Sequence, residues 1–224
     1  MAQVRGVIFD IDGTLVDSND AHAHAWVEAM AEYGHAVPFA KIRPLIGMGG
    51  DKVLPTTLGV SKDSTEGKQI SQRRKEIFKS RYLPDLKPFS HAHDLLLHIR
   101  NKGLSMVIAS SAEQDELNDL LQVIGPQTAA LFEQEVSSKE VQRSKPDPDA
   151  VAVALDRIGY AASEVVMVGD TEYDIDSAAQ LDVNTIAFRC GGWSDDDLAG
   201  AIAIYDGPDD LLAHYDESPL QKGV

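Results

Sequence analysis

Apolar residues follow two rhythms along this 224-residue chain. Short continuous runs, Val7–Phe9, Leu104–Ala109, Val165–Val168 and Thr185–Phe188, read as buried strands rich in β-branched and aromatic residues. Between them the spacing changes to that of helices. Ala23, Trp26, Val27 and Met30 fall at i, i+3, i+4 and i+7, one face of a helix over Asp20–Tyr33. Ala92, Leu95, Leu96 and Ile99 repeat the pattern, as do Leu117, Leu120, Leu121 and Ile124, and Val151, Ala154, Leu155 and Ile158. Ile175, Ala178, Ala179 and Leu181 suggest one more helix. Asp17, Ser18 and Asn19 are candidates to cap the first helix, and Gly34 to end it. A weak strand is expected near Glu135–Val136, an outer strand over Ala201–Tyr205 and a last helix over Asp209–His214, with a loose tail from Asp216.

Strands alternating with helices imply right-handed crossovers and a mostly parallel sheet covered on both faces, an α/β fold. One stretch breaks the alternation. Residues Pro38 to Pro84 contain no convincing strand. They read as helices, interrupted at Gly47-Met48-Gly49-Gly50 and at Pro55, with a basic helix over Lys68–Tyr82. The expected organisation is a core of residues 1–15 and 88–224 with a helical cap over 16–87, hinged at Val16–Asn19 and Leu83–Pro88.

The polar residues at the ends of the strands carry the candidate chemistry. Asp10 and Asp12 follow the first strand at once, ahead of Gly13-Thr14. Two carboxylates at the end of a buried strand need something to pair with. Ser110 ends the second long run, and Asp170 ends the third, with Asp174 four residues on. Lys145 stands in Ser144-Lys145-Pro146-Asp147-Pro148-Asp149, at a helix entry. Parallel strands gather their carboxyl ends on one edge, where ligands sit. Each residue taken alone has a plainer role: Asp and Gly form turns, Ser caps helices, lysines are usually solvated, and acids favour a helix start. A calcium loop is excluded by spacing, since Leu15 stands where the turn Gly belongs and Ala21 where the closing Glu belongs.

Charge narrows the partners. The formal net charge is −16, a field that repels nucleic acid and anionic membranes. A phosphorylated ligand needs a metal and local cations to reverse that sign. The single cysteine, Cys190, permits no intrachain disulfide and reads as a small residue at a strand end. There is no signal-peptide pattern and no apolar run of membrane-spanning length, so a cytoplasmic protein is expected, and a monomer because no strongly apolar exposed stripe is apparent.

Asp10-Ile11-Asp12-Gly13-Thr14, Ile108-Ala109-Ser110, Lys145-Pro146-Asp147-Pro148-Asp149 and Gly169-Asp170-Thr171-Glu172-Tyr173-Asp174 occur in this order. They resemble the four motifs of the haloacid dehalogenase-like superfamily, and the insert after the first resembles its C1-type helical cap. The likeness runs from about Val4 to Leu212. It implies a Rossmann-like core and a Mg²⁺-dependent phosphatase that acts on a small phosphorylated metabolite, a sugar phosphate or a phosphoglycolate-like compound, through an aspartyl-phosphate.

Carried onto this sequence, Asp10 becomes nucleophile and metal ligand. Asp12 becomes the acid/base group, with its backbone carbonyl on the metal. Ser110 becomes a phosphoryl hydrogen-bond donor, and Lys145 the cation that neutralises phosphoryl oxygens and orients Asp10. Asp170 and Asp174 become metal ligands, Asp174 directly or through water. Ser111, Gly49 and Lys52 are expected on the substrate side, the last two because a Gly-rich turn admits a ligand to the backbone and a lysine meets an anion. His22 resembles a catalytic-site histidine of β-phosphoglucomutases. The arginine such mutases place after the cap's Gly turn is not evident, since Gly50 or Asp51 stands there. Isomerisation of a phosphosugar is therefore the alternative to hydrolysis. A receiver-like signalling domain or a non-catalytic binding module are more distant readings.

Overall fold

In the computed structural model, residues 2–138 and 141–224 are described. Six strands form one parallel sheet: β1 (Gly6–Phe9), β2 (Ser105–Ala109), β3 (Gln134–Val136), β4 (Val165–Gly169), β5 (Asn184–Phe188) and β6 (Ala203–Tyr205). Their order is β3-β2-β1-β4-β5-β6. The chain steps outward from β1 to β3, then returns to β4 on the other side of β1. The place where the order reverses therefore lies between β1 and β4, and there the connecting chains splay apart and leave a crevice. In register, Phe9 lies opposite Ile108 and Val168. Asp10 and Asp170 thus leave neighbouring strands at nearly the same height.

The helices follow the apolar spacing. α1 (Asn19–Glu32), α2 (Phe39–Ile42), α3 (Gly50–Leu58) and α4 (Thr65–Ile77) all lie between β1 and α5 (Ala92–Asn101), and among the described residues no named strand interrupts them. They are the inserted helical cap. The core adds α6 (Gln114–Ile124), α7 (Asp149–Ile158), α8 (Glu172–Ala179), α9 (Pro208–Ala213) and α10 (Pro219–Lys222). Val7 and Phe9 pack into a cluster shared with α1, α5 and α6, whereas Ile8 packs into a second cluster with α7. The alternation of side chains along β1 therefore buries both sheet faces. The two crossings between core and cap bind each other: Asp17 N donates to Lys87 O at 3.0 Å, and Phe89 N to Leu15 O at 3.0 Å.

Three local expectations are corrected. Pro55 does not break the chain into two helices, because α3 runs through it to Gly59, whose φ of +67° ends the helix. A proline costs one backbone hydrogen bond, and packing of Val53 and Leu54 in the core offsets it. The C-terminal tail is not loose. Leu220 is buried, and Val224 exchanges backbone hydrogen bonds with Ala2. Ser18 occupies the N-cap position of α1 without capping it, since its hydroxyl is engaged elsewhere.

Candidate active site

The carboxyl edge of the sheet assembles one lysine and three carboxylates from separate stretches of sequence. Lys145 Nζ lies 2.5 Å from Asp10 Oδ1 and 2.6 Å from Asp174 Oδ1, and its side chain is 1% exposed. A lysine that deep must be paired. Burial opposes its charge, but Asp10 and Asp174 hold its pKa above the ordinary lysine range. Asp170 sits beside them, with Oδ1 accepting from Thr14 Oγ1 at 3.0 Å and Oδ2 from Asn19 Nδ2 at 2.8 Å. A Cβ at Gly191 would stand 1.8 Å from Asp170 Oδ2, and one at Gly13 2.2 Å. Only glycines let the backbone close around this carboxylate.

Asp174 is fixed by a capping box at the start of α8. Thr171 Oγ1 accepts from Asp174 N at 3.2 Å and donates to Asp174 Oδ2 at 2.7 Å. The plain helix-start role and the site role coincide here, because the box leaves Oδ1 free to meet Lys145.

One oxygen each from Asp10, Asp170 and Asp174 lies within 4.8 Å of the others, and all three residues are buried. Burial and the neighbouring acids push Asp10 well above the ordinary carboxylate range, despite Lys145. Burial, then Asp174, raises Asp170 to about 7. One lysine does not balance three buried carboxylates. An oxygen-only donor set with excess negative charge fits a hard divalent cation.

Asp12 takes a different direction from Asp10. Its Oδ1 accepts from Ser18 Oγ at 2.5 Å and from His22 Nε2 at 2.7 Å. Burial opposes its ionisation, but the His22 and Ser18 contacts hold its pKa below the ordinary range. Arg74 Nη2 lies 2.9 Å from His22 Nδ1. A guanidinium only donates, so Nδ1 accepts and the ring proton sits on Nε2, the nitrogen facing Asp12. The His22 ring stacks on Phe78 at 4.0 Å. Arg74 Nη1 reaches both oxygens of Glu116 in the core, at 2.9 and 2.7 Å. Asp12, His22, Arg74 and Glu116 thus form one chain from core to cap and back.

Above these groups lies a cleft of about 840 Å³, open mouth included, bounded by Asp10 and Asp12 on one side and by cap residues on the other. His22, Gly49 and Ser111 line it. Ser111 Oγ donates to Gly47 O at 3.1 Å, and Gly49 N donates to Ser144 Oγ at 3.0 Å, so the Gly turn of the cap is docked on the core. Ser110 is buried just after β2, and its Oγ accepts from Ala112 N at 3.0 Å. Lys52 is the expectation the geometry corrects. It does not line the cleft but pairs with Asp147, because α3 turns that face toward the segment before α7.

Sequence reasoning passed over Thr14, Ser18, Asn19, Arg74 and Glu116 as site residues. Ser18 and Asn19 look like caps, and Arg74 and Glu116 look like solvated helix charges. Only Thr14, inside the first motif, carried a signal that could have been used.

A capped parallel α/β sheet with acids and a lysine at its switch point defines a class of group-transfer enzyme. Residues 7–188 match the haloacid dehalogenase-like hydrolase family, and the chain belongs to it. It is 26% identical over 220 residues to N-acetylmuramic acid 6-phosphate phosphatase of Pseudomonas aeruginosa, covering 96% of each chain. It is 28% identical over 193 residues to Protein SUPPRESSOR OF QUENCHING 1, chloroplastic, of Arabidopsis thaliana, and that match takes in 84% of this chain and 18% of the plant protein. The solved structure of a hydrolase from Pseudomonas syringae superposes with a TM-score of 0.88 at 27% identity, over 96% of this chain and 99% of the other. Among the described residues no helix is long and apolar enough to cross a membrane.

Proposed function

We propose that this protein is a Mg²⁺-dependent phosphatase that hydrolyses a small phosphomonoester through an aspartyl-phosphate on Asp10. The observation that carries the reading is the division of labour between two aspartates two residues apart. Asp10 faces Lys145 and the acids, whereas Asp12 faces Ser18 and His22 at the cleft. The relative from Pseudomonas aeruginosa, named N-acetylmuramic acid 6-phosphate phosphatase, supports it.

Asp10, Asp170 and Asp174 would hold Mg²⁺, with the Asp12 carbonyl as a further oxygen. The ion supplies charge neutralisation for the phosphoryl oxygens. In the first half-reaction an Asp10 carboxylate oxygen bonds to phosphorus as the phosphorus–oxygen bond to the leaving alcohol breaks. That alcohol oxygen takes its proton from Asp12. In the second half Asp12 takes a proton from water, the water oxygen bonds to phosphorus, and the acyl phosphate bond breaks to release phosphate and restore Asp10. Lys145 holds Asp10 in place and offsets phosphoryl charge, and Ser110 donates a hydrogen bond to the transferring group. The His22 and Ser18 contacts favour the ionised form of Asp12, which suits the second half, whereas the first half needs it protonated.

The test is phosphate release from a panel of phosphomonoesters and p-nitrophenyl phosphate, with Mg²⁺ and with chelator, for wild type and Asp10→Asn. Release that needs metal and disappears in the variant is the expected result. Phosphate release retained by Asp10→Asn would refute the nucleophile. A phosphosugar isomerised without phosphate release would replace hydrolysis by mutase chemistry.

A further inference from the structure

The cap side of the cleft holds two polar atoms that nothing in the protein satisfies. Ser71 Oγ and Arg74 Nε are both buried and both without a hydrogen-bond partner. They stand three residues apart on α4, so they share one face of that helix. Both residues line the cleft that Asp10 and Asp12 line from below. A buried donor left unpaired is costly, and two on one face of a cleft point to a ligand that satisfies them. An apolar wall adjoins them. A Cβ placed on Gly50 would stand 3.3 Å from Trp26 Cη2 and 3.8 Å from Ser71 Oγ, so the indole edge, the turn and the hydroxyl meet at one point.

The charge of this region is balanced. Apart from Asp10 and Asp12, the cleft presents Lys62, Arg74 and Lys75 against Asp51, Glu113 and Glu116. Arg74 is matched by Glu116 and Lys75 by Glu113. Lys62 is exposed, on the loop before α4. Arg74 therefore offers Nε as a hydrogen-bond donor while its net charge is already spent on a buried carboxylate. Such a wall suits hydroxyl oxygens. It gives little to a second anionic group, whose desolvation needs an uncommitted cation, and among the described residues the one such cation in the cleft lining, Lys62, stands exposed rather than on this wall.

We infer that Ser71 and Arg74 Nε form a specificity subsite for an uncharged, polyhydroxylated leaving group, held beside the Gly50 turn and the indole edge of Trp26. The preferred substrate is then the phosphomonoester of a neutral polyol or sugar, rather than a phosphorylated carboxylate or pyrophosphate. This rests on the phosphatase reading above and adds its substrate class. Ser71 touches no group of the metal-binding or acid/base chemistry in the structure, so its removal isolates the subsite.

The test has two arms. In the first, kcat and KM are measured for wild type and Ser71→Ala with a hexose 6-phosphate, 2-phosphoglycolate, pyrophosphate and p-nitrophenyl phosphate. The hexose phosphate should be preferred. Ser71→Ala should lower its kcat/KM by about 3- to 10-fold, the worth of one neutral hydrogen bond, mostly through KM. The loss on p-nitrophenyl phosphate, which has no hydroxyl to offer Ser71, should be smaller. In the second arm, calorimetry measures binding of the same hexose phosphate and of phosphoglycolate to Asp10→Asn with and without Ser71→Ala. Binding does not depend on turnover, so a preference for the hexose phosphate that Ser71→Ala erases upholds the subsite even if no phosphate is ever released. Tighter binding or faster turnover of phosphoglycolate or pyrophosphate overturns it. So does an equal loss on every substrate, which would mark Ser71 as merely structural.

Discussion

Stripping divalent metal while varying pH probes the acid cluster most directly. Folding carries Asp170 from an ordinary 3.8 to about 7, through burial and then repulsion from Asp174. An acid whose folded pKa is raised binds its proton more tightly when folded. Its contribution to stability is therefore greatest at low pH and is lost as pH climbs from about 4 to about 7. Each pH unit of that gap is about 1.4 kcal/mol, so on the order of 4 kcal/mol is at stake for Asp170 alone. Asp10 adds in the same direction. For a chain of this size 1 kcal/mol moves Tm by about 2–4 °C, so the metal-free Tm should drop by roughly 8–16 °C across that window.

Mg²⁺ should change the picture, because it replaces the protons the cluster otherwise needs. At about 100 times Kd it adds about 2.7 kcal/mol, and the increment should grow with pH as the carboxylates become free to bind it. The exposed His214, also raised, loses stability in the same direction as pH rises, but without regard to Mg²⁺. The assay is thermal unfolding from about pH 4.5 to pH 7.5 in EDTA and in excess MgCl₂, read as the difference between the two curves. A metal-free Tm flat across the window, or a Mg²⁺ increment equal at both ends, would refute the reasoning.

Three further outcomes are expected. Arg74→Ala leaves the 3%-exposed Glu116 carboxylate unpaired and should cost about 3–5 kcal/mol in urea unfolding; adding Glu116→Gln should return part of it, and additive losses would argue against the pair. Asp12→Ala should cut kcat by about 10²- to 10⁴-fold, yet leave the Mg²⁺-induced Tm shift intact, since its side chain meets Ser18 and His22 rather than Asp170; loss of the shift would place that side chain on the metal. Lys52→Ala breaks a partly exposed pair with Asp147 and should cost no more than about 1 kcal/mol with KM unchanged; a raised KM would return Lys52 to the substrate.

Core and cap were legible in the chain because each rests on local rhythm. Runs such as Val165–Val168 and the i, i+3, i+4 faces of α5 to α7 declare their elements within a dozen residues, and a helical stretch with no strand declares an insert. The polar strand ends at Asp10, Ser110 and Asp170 were legible for the same reason, since a parallel sheet sends them all to one edge. The errors lie where one residue type serves two purposes. Ser18 and Asn19 have the composition of helix caps, and their local sequence is the same whether they bond their own helix or reach across to Asp12 and Asp170. Lys52 followed a Gly turn, as an anion-binding residue does, and only the rotation of α3 turned it to Asp147.

What the sequence by itself determined is therefore the α/β order, the insert, and which residues stand at the strand ends. Tertiary structure alone decided which way each of them faces. Asp10 and Asp12 are two residues apart, yet one meets Lys145 from 135 positions away while the other meets a histidine that Arg74 holds from the cap. The reason is physical: secondary structure follows from interactions between near neighbours, whereas the pairing of a buried charge is settled by whichever opposite group the packed fold brings within about 3 Å.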